Sequence, residues 1–480
     1  MPSEVNLKHL DLGWSDEKIR GVSGPIQASF PIGTEDPLTK AWIDTFKGIN
    51  STINIDPFSG QAYGGYSNAS TIDPTTKTRS YSASAYYMPA SGRPNLTVLT
   101  GATVNRVLFE KTSNDQVSAT GVNFSAGGEI QEVKATKEVI LAAGAFQSPK
   151  ILELSGIGNG ELLKSLGIQV LVNNPNVGEN LQDHAITAMS FEVTDGTQTA
   201  DSLLRQEPDA VQFVTELYMK AQAGPLSYGS VASHAFMPIT DVLSGQDSMS
   251  ELATLFEEYA AKNGANPVFD FVREVSLSPE QASACILMFA AQVNAHDDKG
   301  EPGGKNYLQM PKAGNYITLC SLLSHPLSRG STHITSGDVM APPTINPKYL
   351  SNPLDLEVIS RHLLSLETLV KKEPLANFIK SDGQRNHNTA QFNGDLELAK
   401  DYAKSTVISN NHPSCSCSML PRESGGVVDE RLRVYGTTNL RVVDSSVMPL
   451  IPRGNIQTSV YAVAERAADI IKEDGSKPSN

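Results

Sequence analysis

The sequence lacks a hydrophobic run that could cross a membrane, and it has no excess of positive charge. Its best apolar run, residues 284–291, is far shorter than the roughly 20 residues that a membrane-spanning helix needs. The 38 lysine and arginine residues are outnumbered by 52 aspartate and glutamate residues, which gives a formal net charge of −14. This balance argues against nucleic acid or an anionic membrane as the main partner.

Cysteine is also scarce. The four cysteines, Cys285, Cys320, Cys415 and Cys417, form no disulfide framework. The Cys-x-Cys at 415–417 lacks the second pair that a zinc site needs, so we expect no metal site. With 39% hydrophobic and 19% charged residues, the 480-residue chain is typical of a globular protein with a large core or two to three domains.

A secretory signal is missing as well, because residues 1–6 have neither a basic region nor an apolar stretch. In the natural protein such a signal would lie at the N-terminal end, which we expect this chain to lack. The location of the protein is therefore not predicted.

The composition and the hydrophobic pattern of the sequence change along the chain, and together they predict an α/β protein. Residues 1–95 are rich in Gly, Ser, Pro and Thr and predict long loops with short helices. Residues 96–185 predict strands, among them the continuous apolar run 138–143, which is typical of a buried parallel strand. Residues 186–410 predict amphipathic helices and strands, and residues 411–480 predict a strand and a final helix. We expect two interleaved domains.

One strand–turn–helix pattern has the form of a nucleotide-binding turn. The strand 138–143 ends at Gly144, and a helix follows from Pro149. Glycine at this point would let a ligand approach the backbone, although the same pattern occurs at plain β-to-α junctions. The glycines at 156–160 do not form a dinucleotide fingerprint, since they follow a helix and Glu161 stands in place of the last glycine.

Two polar segments near the C-terminus contain the best candidates for catalysis. His412 begins the segment 412–421 (HPSCSCSMLP), and Asn455 lies in the segment 454–458 (GNIQT). A histidine can take a hydroxyl proton near neutral pH, and an uncharged amide can hold the resulting oxygen. Such a pair would suit the oxidation of an alcohol. His184 is the nearest competitor, and we expect the other histidines to be structural.

Several motifs together resemble those of the glucose–methanol–choline (GMC) flavin oxidoreductases. Residues 144–158 (GAFQSPKILELSGIG) match every restricted position of the family's second signature. Residues 175–184 (PNVGENLQDH), 99–104 (LTGATV) and 326–330 (PLSRG) resemble other family segments, as does the whole stretch 412–471. Because order and spacing also fit, the resemblance covers essentially the entire chain.

The resemblance implies FAD as cofactor and an alcohol as substrate. His412 matches the catalytic base that takes the hydroxyl proton while hydride passes to flavin N5, and Asn455 matches the second active-site position. The final helix would direct its N-terminus at the flavin and stabilise a reduced, anionic form. In the family the loop around His184 is mainly structural. The positions that match the family's FAD contacts are Val104, Gly144, Asp444, Ser445, Ile456 and Gln457.

The resemblance also implies a division into domains, and it shows one difference between this sequence and the family. It implies an FAD-binding domain from residues 96–185 and 411–480, a substrate-binding domain with an antiparallel sheet from 186–410, and a remnant, 1–95, that spans both. The family's first strand, its Gly-x-Gly-x-x-Gly turn and the helix that seat the FAD pyrophosphate are not recognised in this sequence. We therefore expect a chain that lacks the N-terminal FAD-binding βαβ segment, with exposed sheet edges and an uncovered apolar face.

Three interpretations follow from that departure. The chain is a fragment of a full FAD oxidoreductase, a shortened protein that has lost the flavin and is inactive, or a non-redox relative that works as a cyclase or dehydratase in secondary metabolism. We favour the first. The particular alcohol is not predicted, and the electron acceptor is oxygen or a quinone-like molecule.

Overall fold

The computed structural model describes residues 4–30, 36–112, 114, 116–229, 231–243, 246–264, 266–295, 307, 309, 312–387 and 389–476. Its contacts form two compact units, each assembled from separate stretches of the chain. The first unit comprises Met1–Thr97, Ala185–Ser324 and Pro353–Ile408, and the second comprises Val98–His184, His325–Asn352 and Ser409–Asn480. Residues 325–352, assigned above to the middle region, make their contacts within the second unit.

The described helices and strands are mixed along the chain, as expected for an α/β protein. The helices are α1 Glu4–His9, α2 Glu17–Arg20, α3 Pro37–Gly48, α4 Met88–Ala90, α5 Gly144–Leu154, α6 Gly160–Ser165, α7 Asp201–Leu204, α8 Pro208–Ala221, α9 Gln246–Asn263, α10 Pro267–Leu277, α11 Pro353–Leu369, α12 Leu396–Thr406 and α13 Gln457–Gly475. The strands are β1 Gly64–Ser67, β2 Ala102–Lys111, β3 Val117–Ala126, β4 Glu129–Lys134, β5 Val139–Leu141, β6 Ile157–Gly158, β7 Val172–Asn173, β8 Ala185–Glu192, β9 Ser233–Met237, β10 Ala284–Phe289, β11 Tyr316–Leu323, β12 Ser331–His333, β13 Thr344–Asn346, β14 Ile408–Ser409 and β15 Leu440–Val442. None of the helices in these described stretches has the length and apolar character required to span a membrane.

The first unit is built on a six-stranded sheet in the order β1-β9-β10-β11-β8-β14. The pairs β1–β9, β9–β10, β10–β11 and β11–β8 are antiparallel. Every residue of β11 is buried, because helix α11 packs on this strand. The antiparallel sheet predicted within residues 186–410 is therefore present.

The second unit contains an antiparallel meander, β2-β3-β4, and a two-stranded parallel sheet, β5–β15. Its core is formed by apolar side chains from these strands and from the helices beside them, including Val107, Leu141, Leu152 and Val442. The apolar residues at 96–100 predict a strand from the sequence. That prediction is wrong, since the stretch has no regular structure and β2 begins only after Gly101, whose φ is +66°.

Apolar groups near the parallel sheet are only partly covered. Ile140, at the centre of β5, is 42% exposed. The sequence predicts one apolar face on the last helix, made of Val460, Val463, Ala464, Ala467, Ile470 and Ile471, yet only Ala467 and Ile470 are buried. Val460 and Val463 of that face are partly buried and pack against the core of the unit.

The C-terminal end of α13 is held by a cluster of charges. Asp474 accepts hydrogen bonds from Arg431, Arg433 and Arg441, each with an N–O distance of 2.7 Å. Arg441 is 3% exposed and also binds Glu138, beside β5, at 2.6 Å. An acidic residue at a helix C-terminus is unfavourable by itself, and the three guanidinium groups offset that cost.

Candidate active site

Three segments of the second unit assemble the backbone around His412. Residues 180–184 run antiparallel to residues 410–414, with Gln182 N bonding to Ser414 O at 3.0 Å and Ser414 N to Gln182 O at 2.9 Å. On its other side, the segment that follows His412 bonds to residues 445–447 through Cys415 N to Ser445 O at 3.1 Å. The histidine loop is therefore held from both sides.

The side chain of His412 lies among three polar groups. Its Nδ1 is 2.8 Å from Nδ1 of His184, and its Nε2 is 3.4 Å from Nδ2 of Asn455. The Nδ2 atom of Asn410 is 3.3 Å from the same Nδ1. Asn411 has a φ of +58°, in the left-handed region that asparagine tolerates better than most residues. The structure thus brings together the two catalytic residues predicted from the sequence.

The two predicted catalytic residues differ in exposure. His412 is 8% exposed, whereas Asn455 is exposed. Burial lowers the pKa of His412 to about 4, since the charged imidazolium is poorly solvated there. At neutral pH the ring is therefore neutral and can accept a proton, and the amide beside it is open to a small molecule.

Asp183 anchors the histidine loop and was not predicted as a site residue. Its carboxylate accepts hydrogen bonds from the main-chain N of His412 at 2.9 Å, from the hydroxyl of Tyr349 and from the hydroxyl of Ser409. Burial raises the pKa of Asp183, and these donors act in the opposite direction. The only sign of this role in the sequence is that Asp183 lies next to His184. The loop that it anchors is far away in the chain, so the sequence does not show the contact.

Asp444, predicted near the FAD pyrophosphate and ribityl chain, joins two parts of the predicted cofactor site. Its Oδ2 accepts hydrogen bonds from Gly144 N at 3.0 Å and from Ser148 Oγ at 2.5 Å, and its Oδ1 accepts one from Ser446 N at 2.8 Å. The neighbouring Ser445 Oγ donates to Pro413 O at 3.0 Å. The carboxylate therefore fixes the start of α5 beside β15.

Two features of the second unit fit FAD. Gly144 has a φ of +81°, and a Cβ placed there would meet no atom within 4 Å, so its backbone is open to a ligand. The 19-residue helix α13 begins after Ile456 without a side-chain cap, and Gln457 and Thr458 are exposed. The first N–H groups of an α-helix have no partner within the helix, and they suit the electronegative atoms of a cofactor.

The remaining predicted contact, Val104, lies in β2, where it pairs with Phe124 of β3.

A further histidine, His325, also belongs to this unit and was not predicted as a site residue. Its Nδ1 lies 2.8 Å from the carbonyl oxygen of Ile451. Burial lowers the pKa of His325 to about 4, so this ring is also neutral.

Comparison with known proteins identifies the family. Sequence models described as GMC oxidoreductase match residues 13–186 with the N-terminal part of the family and residues 326–464 with the C-terminal part. The N-terminal match begins at residue 13, so the prediction that the chain lacks the N-terminal FAD segment is not confirmed. The expected fold class and cofactor agree with this family.

Similar proteins come from several fungi. The chain is 36% identical over 454 residues to the GMC oxidoreductase family protein Mala s 12 of Malassezia sympodialis, which covers 94% of this chain and 68% of that protein. It is 33% identical to dehydrogenase mpl7 of Monascus purpureus, covering 95% of this chain and 74% of the relative. It is 31% identical to patulin synthase of Penicillium expansum, covering 95% of this chain and 67% of the relative.

A solved structure supports the same assignment. The FAD-dependent oxidoreductase from Chaetomium thermophilum is 26% identical and aligns with a TM-score of 0.82, covering 99% of this chain and 78% of that one. The chain belongs to the GMC oxidoreductase family of FAD-dependent enzymes.

Proposed function

We propose that the protein oxidises a small-molecule alcohol to a carbonyl compound, with His412 as the base. The observation that supports this most directly is the pair formed by His412 Nε2 and the Asn455 amide, 3.4 Å apart. A buried neutral imidazole next to an exposed amide can receive a hydroxyl group between them. FAD, when bound, supplies the acceptor for the hydride that leaves the alcohol carbon.

The residues of the chain divide the remaining work. His412 Nε2 takes the hydroxyl proton, which increases the electron density on the alcohol oxygen. Asn455 is uncharged and orients that oxygen by a hydrogen bond, so it does not compete for the proton. Asp183 holds the main chain of His412 in place and thereby maintains the position of the base. The residues proposed to hold FAD are Val104, Gly144, Asp444, Ser445, Ile456 and Gln457.

The alternative, a flavin-free or non-redox family member, is not favoured, because the similar proteins include a dehydrogenase and an FAD-dependent oxidoreductase. The similarity to dehydrogenase mpl7 and to patulin synthase supports a role in fungal secondary metabolism. The proposed electron acceptor is oxygen or a quinone-like molecule. The division of residues 1–95, 96–185, 186–410 and 411–480 into FAD-binding and substrate-binding parts remains a proposal.

The test of this function is flavin reduction. The purified chain supplied with FAD is expected to show the visible spectrum of bound flavin after removal of free cofactor. Anaerobic addition of one alcohol from a panel of 1-butanol, benzyl alcohol and glucose is expected to bleach that spectrum. Failure to retain FAD, together with no bleaching by any alcohol, would contradict the proposal.

The pH dependence of the rate should reflect the low pKa of His412. A base works only when it is unprotonated, so kcat/KM should rise with pH through about 4 and then stay level across the neutral range. An exposed histidine would instead give an acid limb near 6.5. Measurement of kcat/KM between acidic and neutral pH distinguishes the two, and a limb near 6.5 would argue against a buried neutral base.

Changing Asn455 to aspartate should move that acid limb. A carboxylate beside Nε2 of His412 favours the charged imidazolium and should raise the pKa of the base by roughly 1–3 units. Asn455→Ala is the matched control, since it removes the amide without adding charge. It should lower the rate roughly 3- to 10-fold, the effect of one lost hydrogen bond, without moving the acid limb of the pH profile to higher pH. Identical pH profiles for the two variants would contradict contact between Asn455 and the base.

A further inference from the structure

We propose that His184 is a positioning residue that sets which ring nitrogen of His412 carries the proton. The inference rests on the proposed function, because it concerns the base named there. Its geometry lies entirely within the second unit.

The backbone register places the two histidines opposite each other. Gln182 pairs with Ser414 in the antiparallel bridge. His184, two residues after Gln182, therefore faces His412, two residues before Ser414. Their rings meet edge to face, with centroids 5.1 Å apart and an interplanar angle of 82°. Both rings are buried, at 1% and 8% exposure. The contact is therefore fixed by the ladder and shielded from water.

The short contact between the two rings requires a proton. Two Nδ1 atoms 2.8 Å apart repel each other unless one donates and the other accepts. Amide nitrogens, which can only donate, lie further away on both sides of the ring, Asn410 Nδ2 at 3.3 Å from Nδ1 and Asn455 Nδ2 at 3.4 Å from Nε2, so the 2.8 Å contact with His184 decides the tautomer. A base that acts through Nε2 needs that nitrogen unprotonated, so the proton of neutral His412 is assigned to Nδ1, with His184 Nδ1 as its acceptor.

This tautomer is the one that the reaction needs. With the proton on Nδ1, the lone pair of Nε2 faces the position where the amide would hold an alcohol oxygen. With the proton on Nε2, the ring would present a donor there and could not take the hydroxyl proton. A hydrogen bond to the second nitrogen is a general way to choose between these forms.

The presence of a histidine here, rather than a carboxylate, has a second consequence. The nearby carboxylate of Asp183 bonds to the main-chain N of His412 and to the hydroxyls of Tyr349 and Ser409, and not to the ring. A carboxylate on Nδ1 would stabilise the imidazolium and keep the base protonated to higher pH. The groups facing the ring itself are His184 and the amides of Asn410 and Asn455, none of which carries a negative charge. His184 therefore selects the tautomer and leaves the base unprotonated.

Nitrogen NMR of the chain labelled with ¹⁵N-histidine tests this assignment without substrate. Signals lost in His412→Gln identify His412. At neutral pH, His412 of the unchanged protein is expected to show a protonated Nδ1 and a pyridine-like Nε2. A protonated Nε2 would overturn the proposal. This measurement does not depend on whether a His184 variant folds.

Two variants then test the role of His184. His184→Phe keeps a ring but offers no acceptor, so the Nδ1–H form of His412 should be lost or mixed with the other tautomer. His184→Gln can accept through its side-chain oxygen and should restore the Nδ1–H form. An unchanged His412 tautomer in His184→Phe, with native-like signals from the other histidines, would refute the role.

The outcome is separable from that of the proposed function. If His412→Gln still reduces FAD with an alcohol at the normal rate, then His412 is not the base, whatever the tautomer is. If His412→Gln is inactive but His412 carries its proton on Nε2, then the base survives and the role of His184 fails.

Discussion

Replacing His412 with glutamine is expected to lower the rate of alcohol oxidation by about 10²- to 10⁴-fold, the usual contribution of a general base. Glutamine is close to histidine in size and can still hydrogen-bond to His184 and Asn455, so the loop should keep its fold. It cannot take a hydroxyl proton at neutral pH. The loss should therefore appear in the rate of flavin reduction, while the amount of bound FAD stays unchanged.

The measurement is anaerobic flavin reduction in a rapid-mixing instrument, with the alcohol that bleaches the unchanged protein best. His387→Gln is the matched control, because it makes the same substitution in the first unit, where the His387 ring bonds to Thr389, two residues away. That control should reduce flavin at the normal rate. A drop of less than tenfold in His412→Gln, with full FAD content, would show that another group takes the proton.

The second large effect concerns stability and arises from a histidine held between two carboxylates. Nδ1 of His333 donates to Glu153 Oε1 at 2.7 Å, and Nε2 donates to Glu179 Oε1 at 3.0 Å. Glu153 is fully buried and also accepts Ile334 N at 2.9 Å. Since both ring nitrogens donate, the histidine is an imidazolium. It ties α5 to β12 and to the loop before His184.

Removing the buried carboxylate should cost more than removing the exposed one. Glu153→Gln keeps the volume but removes the charge, and it should lower the free energy of unfolding by roughly 1.5–3 kcal/mol, the range for a hydrogen bond to a charged group. Glu179→Gln is the matched control, because it alters the other partner of the same ring, where the side chain is 51% exposed. Its cost should be at most about 1 kcal/mol. Urea unfolding of the variants measures both, and equal losses would contradict a dominant buried pair.

The same contact predicts the direction of a pH effect. The hydrogen bonds that His333 donates to Glu153 and Glu179 raise the pKa of His333 from 6.5 to about 9. Because the folded pKa lies above the unfolded one, this stabilisation is complete below 6.5 and is lost as the pH rises through about 9. The urea midpoint should fall over that window, and it should fall less in His333→Gln. A midpoint that falls equally in both proteins would assign the pH effect to other groups.

Much of the family assignment was already present in local sequence. The signature at 144–158, the loop at 175–184 and the C-terminal stretch 412–471 carry the resemblance, and their order predicted an α/β protein with an antiparallel sheet in its middle region. His412 and Asn455 were also recognisable, because their neighbouring residues are polar, contain proline or glycine, and do not follow the period of a buried helix or strand. Such local patterns need no knowledge of the partners in space.

The failures have a different origin. The strand predicted at 96–100 rests on apolar residues, but Leu99 is 59% exposed and, in the part of the chain that the structure describes, pairs with no strand. The apolar face of α13 was predicted from its period alone, and how much of it is buried depends on what packs there. The hydrophobic periodicity of a helix shows which residues share a face, but it does not show which other residues cover that face.

The sequence by itself determined the family, the type of fold and the pair His412 and Asn455. Only the tertiary structure placed His184 against His412, Asp183 against the histidine loop and His333 between two carboxylates. These contacts join residues separated by more than 150 positions in the chain. They depend on the register between distant segments, and a shift of one residue would turn each side chain to the opposite face. Local pattern predicts the chemical groups, whereas the packing of distant segments decides their protonation.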